Sequence, residues 1–102
     1  MSVQTITKEN FQELVMNSDR PVLLDFFATW CGPCRMVGPF IDEIAEENEN
    51  ILVGKVDVDA QTELATQFQV YSIPTLVVLK DGEIVTQSTG AKTKAQILAM
   101  LP

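Results

Sequence analysis

The sequence predicts an α/β protein: three layers, with a mixed central β-sheet between helices, in the order β-α-β-α-β-α-β-β-α. Three observations predict it. Apolar, strand-like runs at residues 22–28 and 51–58 are separated by a segment of helical period. Strand-like and helix-like segments then continue to alternate as far as residue 75. Finally, Asp81-Gly82 joins two strand-like runs, the strongest short hairpin signal in the chain. Helical crossovers favour parallel pairing of the early strands, whereas a two-residue loop makes the last pair antiparallel.

Each element has its own reason. Residues 3–6 are short and β-branched, a weak first strand. Thr7 is placed to cap a helix whose apolar stripe is Phe11, Leu14 and Val15. Residues 22–28 are apolar apart from Asp25, the pattern of a strand buried on both faces. From Pro33 to about Asn48 the period becomes helical, with Met36, Val37, Phe40, Ile41, Ile44 and Ala45 opposite Asp42, Glu43, Glu46 and Glu47. Pro39 inside it should bend it. The acidic C-terminal end opposes the macrodipole, so packing must hold this helix. Residues 51–58 read as a second buried strand. Asp59 is placed to cap a short helix carrying Leu64, Ala65 and Phe68. Residues 75–80 and 83–89 form the hairpin. Thr93 with Gln96 three residues on is a capping box for a last helix carrying Ile97, Leu98 and Leu101.

The chain has 102 residues, so residues 1–102 are expected to form a single domain. Seven basic against 14 acidic residues give a formal charge of -7. That balance argues against a nucleic-acid partner, which needs clustered cations. No apolar run approaches the roughly 20 residues of a membrane span, so no membrane partner is expected. Met1-Ser2-Val3-Gln4-Thr5-Ile6 has neither a basic nor a long apolar signal region, and a cytoplasmic location is expected. With no His in the chain, the usual general base and metal ligand are missing. Proton transfer falls to a carboxylate, a thiol, a Lys or water.

The chemistry concentrates in Cys31-Gly32-Pro33-Cys34, where the Phe-rich strand ends and the long helix begins. Free N–H groups at a helix start stabilise negative charge and lower a thiol pKa. Cys31 is expected to be the more exposed sulfur and Cys34 to face inward. Cysteines three apart across a helix start can meet disulfide geometry. Pro33 suits the first helical turn, and Gly32 leaves the sulfur approachable. C-x-x-C beside a βαβ pattern is a redox signature. A purely structural disulfide would close too short a loop to stabilise much. A zinc site needs two more ligands, and the chain offers no further Cys and no His, so no metal is expected.

Trp30-Cys31-Gly32-Pro33-Cys34 after Asp25-Phe26-Phe27-Ala28, then Pro39, Lys55, Ile73-Pro74-Thr75, Gly82 and Gly90, resembles the thioredoxin family across nearly the whole chain. The resemblance implies the thioredoxin fold and protein-disulfide reduction, with no bound cofactor. It implies electrons from NADPH through a flavin-containing thioredoxin reductase, disulfide-containing substrate proteins as partners, and a monomer. Cys31 would attack a substrate disulfide and Cys34 would resolve the mixed disulfide.

Asp25 interrupts an apolar run, so a buried carboxyl there must be protonated or paired. The resemblance makes it the proton acceptor and donor for Cys34; a solvated strand edge is the plainer reading. Lys55 is either a snorkelling lysine or, by the resemblance, a charge near Asp25 that tunes it. Pro74 read alone is a trans strand-starting proline; the resemblance makes it cis and opposite the cysteines. Ile73 could then pair with an extended substrate. Trp30, Gly32, Pro33, Ile73, Pro74, Gly90 and Ala91 would form the substrate surface, although Trp30 alone could be a core anchor and Gly90 a loop glycine. The chain departs from the family pattern at Phe27, where many members have a second Trp, and at Tyr71-Ser72, where the best-known members have a glycine before the Ile. Two other functions compete: a non-catalytic scaffold of the same fold, and an oxidase or isomerase.

Overall fold

The computed structural model describes residues 2–102; Met1, the first residue of the expected domain, lies outside them. Five strands form one sheet in the order β1-β3-β2-β4-β5: β1 (Gln4–Thr5), β2 (Val22–Phe27), β3 (Leu52–Asp57), β4 (Thr75–Lys80) and β5 (Glu83–Thr89). β1 and β2 both run parallel to β3, while β4 runs antiparallel to β2 and to β5. The mixed sheet is as expected. The three helices are α1 (Gly32–Glu47), α2 (Thr62–Gln67) and α3 (Lys94–Leu98).

Strand alternation sorts the core into two layers. Val22, Leu24 and Phe26 of β2 pack on one face with Leu52 and Val56, under Phe11, Val15, Leu64 and Phe68. Leu23 of β2 and Val53 of β3 pack on the other, under Val37, Ile41, Ile44 and Ile97 from α1 and α3. Asp25 and Lys55 share this second face by parity, and the parallel register sets them side by side. Lys94 ties α3 to α1 through carboxylates of Glu43 at 2.9 Å and Glu47 at 2.8 Å.

Four local expectations need correction. The first helical segment is a π-helical turn, Gln12–Met16, preceded by a turn. Thr7 caps only that preceding turn: its Oγ1 accepts from Asn10 N at 3.4 Å, while Asn10 Oδ1 accepts from Thr7 N at 2.8 Å. Asp59 does not cap α2, whose first turn has no side-chain cap. Asp57 Oδ1 instead accepts from Asp59 N at 2.9 Å, the usual Asx-type competition for nearby N–H groups. Leu98 faces outward and α3 ends there, leaving Leu101 beyond it, partly buried against the core. Pro39 sits within α1 without interrupting it. The hairpin turn has positive φ at Asp81 (53°) and Gly82 (79°), the pairing a type I′ loop requires. The capping box at Thr93 forms as expected.

Candidate active site at the start of α1

Cys31 is the N-cap of α1, in extended conformation, and its Sγ accepts from Cys34 N at 3.2 Å. A sulfur thus occupies the place where a Ser or Asp oxygen normally caps a helix. The same N–H that would favour a Cys31 thiolate is already aimed at it. Cys31 and Cys34 are joined as a disulfide, with their Cα atoms 5.3 Å apart. With Ala28 they form a small cluster of their own, packed by Phe27, Val58 and Ile73. The expected difference in exposure is not found: both cysteines are 5% exposed.

Three segments converge on the disulfide. The Ile73-Pro74 peptide bond is cis, as the resemblance implied, and the Ile73 carbonyl lies 3.9 Å from Cys31 Sγ. Gly90 N donates to Pro74 O at 2.8 Å, which brings the residue after β5 to the same loop. Thr75, fully buried, donates from Oγ1 to Ser72 O at 2.7 Å and closes the loop on itself. Trp30 is 66% exposed and is not a core anchor. Its Nε1 donates to Asp59 Oδ2 at 2.7 Å. Gly32, Pro33 and Ala91 are exposed, Gly90 and Ile73 partly so, and Pro74 is buried.

Behind the disulfide, Asp25 is 4% exposed and its Oδ1 has no hydrogen-bond partner among the described residues. Burial pushes its pKa up to about 7; Lys55 pulls it down and Asp42 pushes it up. The plainer reading of Asp25, a solvated edge, is therefore wrong: β2 is the middle strand. Lys55 is exposed, as a snorkelling lysine should be, yet it lies beside Asp25, and its Nζ sits 5.9 Å from the centroid of the Phe27 ring. A pocket of about 280 Å³ opens here, lined by Asp25, Cys34, Lys55 and, from α1, Arg35, Gly38 and Asp42. Among the described residues no group of three or more His, Cys, Asp or Glu side chains could hold a metal ion, and no helix is long and apolar enough to cross a membrane.

A family model described as Thioredoxin matches residues 2–102. The chain belongs to the thioredoxin family. It is 50% identical over 97 residues to a thioredoxin of Mycobacterium tuberculosis (strain ATCC 25618 / H37Rv), covering 94% of this chain and 84% of that protein. It is 46% identical over 102 residues to a thioredoxin of Pyropia yezoensis, covering 99% and 95%. A Mycobacterium leprae protein named a bifunctional thioredoxin reductase/thioredoxin is 50% identical over 94 residues, which are 91% of this chain and 20% of that protein. Thioredoxins are thiol–disulfide oxidoreductases, and this chain is a protein-disulfide reductase that works through a reversible dithiol/disulfide couple. Nothing in the geometry or the relatives supports the scaffold reading.

Within the thioredoxin frame, three neighbours of the site escaped the sequence reading. Asp59, the partner of Trp30, carries no local signal, because its contact spans 29 positions of chain. Gly38 and Asp42 had a usable one: they follow Cys34 by four and eight, the spacing of one helical stripe.

Proposed function

We propose that this chain passes electrons from an NADPH-dependent, flavin-containing thioredoxin reductase to disulfides of partner proteins. It would do so as a cytoplasmic monomer, a single domain over 1–102 with no bound cofactor. The M. leprae relative, whose name joins a reductase and a thioredoxin in one chain, supports the first partner. The observation that carries the reading is the Cys31 sulfur capping α1 beside the Ile73 carbonyl.

In the first step Cys31 thiolate attacks one sulfur of a substrate disulfide. A Cys31–substrate bond forms, the substrate S–S bond breaks, and the other substrate sulfur leaves with the electron pair. In the second step Cys34 gives its proton to Asp25 and attacks Cys31 Sγ. The internal disulfide forms and the second substrate thiolate leaves. Lys55 tunes Asp25 by favouring its charged form. The substrate chain lies extended along Ile73, whose N–H has no hydrogen-bond partner among the described residues, as in strand addition. Trp30, Gly32, Pro33, Pro74, Gly90 and Ala91 form the walls.

Cys34→Ser tests the division of labour. It should accumulate a covalent adduct with a protein disulfide substrate, seen by non-reducing mass analysis; turnover at the parental rate would overturn the resolving role. Equilibration against a glutathione buffer tests direction. A couple as oxidising as that of disulfide-forming enzymes would overturn the reductase reading in favour of an oxidase.

A further inference from the structure

Gly38 is hard to explain by packing. A glycine inside a helix costs about 0.5–1 kcal/mol relative to alanine. Its backbone is ordinary, and a Cβ built on it would meet nothing within 4 Å. What distinguishes it is its place. It lies one turn after Cys34 and one turn before Asp42, on the stripe of α1 that lines the pocket behind the disulfide. The same pocket is lined by Asp25, whose Oδ1 is buried and unpartnered among the described residues. Its volume of about 280 Å³ has room for several water molecules at about 30 Å³ each, and it offers them polar partners.

We propose that Gly38 is a positioning residue for the resolving step: by presenting no side chain between Cys34 and Asp42, it keeps the pocket open to water beside the Asp25 carboxyl. This rests on the reading of Asp25 as proton acceptor for Cys34. The balance is simple. The Cys34 thiol loses its proton to the Asp25 carboxylate; the resulting thiolate attacks Cys31 Sγ, the Cys31–Cys34 bond forms as the Cys31–substrate bond breaks, the substrate sulfur leaves as a thiolate with the electron pair, and the Asp25 carboxyl later returns the proton to water in the pocket. The charged groups that line the pocket with Asp25 are Lys55 from β3 with Arg35 and Asp42 from α1, of which Lys55 and Asp42 act on its carboxyl while Arg35 donates to Thr29 O; β4 places Leu76 opposite it. A side chain at position 38 would displace solvent from beside the one buried carboxyl of this set and disfavour its charged form. There is a local competitor. Gly38 precedes Pro39, and a Cβ before a proline is crowded in a helix.

The test separates these causes. Gly38→Leu and Gly38→Ala are made alone and beside Pro39→Ala, which removes the pre-proline crowding. The Asp25 carboxyl is titrated by infrared difference in the oxidised protein, and decay of a mixed disulfide with a small aromatic disulfide probe is timed against pH. Gly38→Leu should raise the titration midpoint from near 7 by about half a unit to one unit and slow resolution about 2- to 5-fold at neutral pH. Gly38→Ala should do less, and both effects should persist beside Pro39→Ala. An unmoved midpoint and rate in folded Gly38→Leu would overturn the proposal, as would effects that vanish beside Pro39→Ala. If Gly38→Leu does not fold, Gly38→Met, apolar and more flexible, takes its place with the same expected shift, and an unmoved midpoint and rate there overturn the proposal. Asp25→Asn serves as the control for the underlying reading: parental resolution in that variant would remove Asp25 from the mechanism, whereas a slow Asp25→Asn with an unmoved Gly38→Leu would leave Asp25 in place and remove Gly38.

Discussion

Asp25 titrates near 7 in the folded chain against an ordinary value of 3.8. Between those two pH values the folded state holds a proton that the unfolded state has released. Stability therefore falls as pH rises through this window, the reverse of a salt-bridged carboxylate. The full difference, from 3.8 to about 7, is on the order of 4 kcal/mol above neutrality. Asp25→Asn should lack this fall: denaturant unfolding at pH 4 and pH 8 should show the parent losing several kcal/mol relative to the variant. Equal pH slopes would mean that the carboxyl is better solvated than its burial implies. The burden on Asp25 was legible in the sequence, since a lone carboxylate inside an apolar run must be neutral or paired once the strand is buried. What the sequence could not show was its neighbourhood. Asp42 acts on it from another element, so only its helical spacing from Cys34 hinted at it, and Asp59 fixes Trp30 across 29 positions of chain with no local signature at all.

Among elements, the short ones depend most on their ends. α3 spans Lys94–Leu98 and buries Ile97 against α1, so its capping box is a large share of what holds it. Thr93→Ala should lower stability by about 1 kcal/mol in denaturant unfolding, with the loss reduced in Thr93→Ser. β1 depends instead on a close approach. A Cβ on Gly54 of β3 would lie 2.6 Å from Ile6 Cγ1 and 3.1 Å from Leu24 Cδ2. Gly54→Ala should cost roughly 1–3 kcal/mol. It should also speed exchange of the Ile6 N–H, which donates to Lys55 O at 2.9 Å, more than that of β2. The strands, the long helix and the hairpin were readable because period and turn chemistry are local. The π-helical turn and the uncapped start of α2 were not. Thr7 and Asp59 have the right side chains for caps, but Thr7 caps the turn before the π-helical segment, and a tertiary contact gives Asp59 to Trp30.

For the whole molecule, the redox pair sits apart from what holds the fold together. The two core layers enclose the sheet, while Cys31 and Cys34 belong to a third, small cluster at the end of β2. Opening so short a loop should lower stability by at most about 2 kcal/mol on the chain-entropy account. Reduction should thus leave far-ultraviolet dichroism unchanged and shift the thermal midpoint only modestly; unfolding on reduction would contradict this separation. The layered α/β architecture was legible because strands that are apolar almost throughout must be covered on both faces, and helical segments alternate with them to supply the cover. The convergence of Cys31, Ile73 and Gly90 was legible only through the family resemblance and not from local pattern, because chain topology alone brings residues about 40 and 60 positions downstream to the start of α1.

The chain has one tryptophan, and it stands beside the disulfide, exposed and tethered to Asp59. Its indole emission is therefore an optical probe installed at the site. The signal comes from a single location, without a second indole at position 27 to dilute it. Thiol–disulfide exchange, docking of a partner and rupture of the Asp59 tether should each be visible in intensity or wavelength without any label. Asp59→Asn would help to tell the tether's contribution from that of the sulfurs.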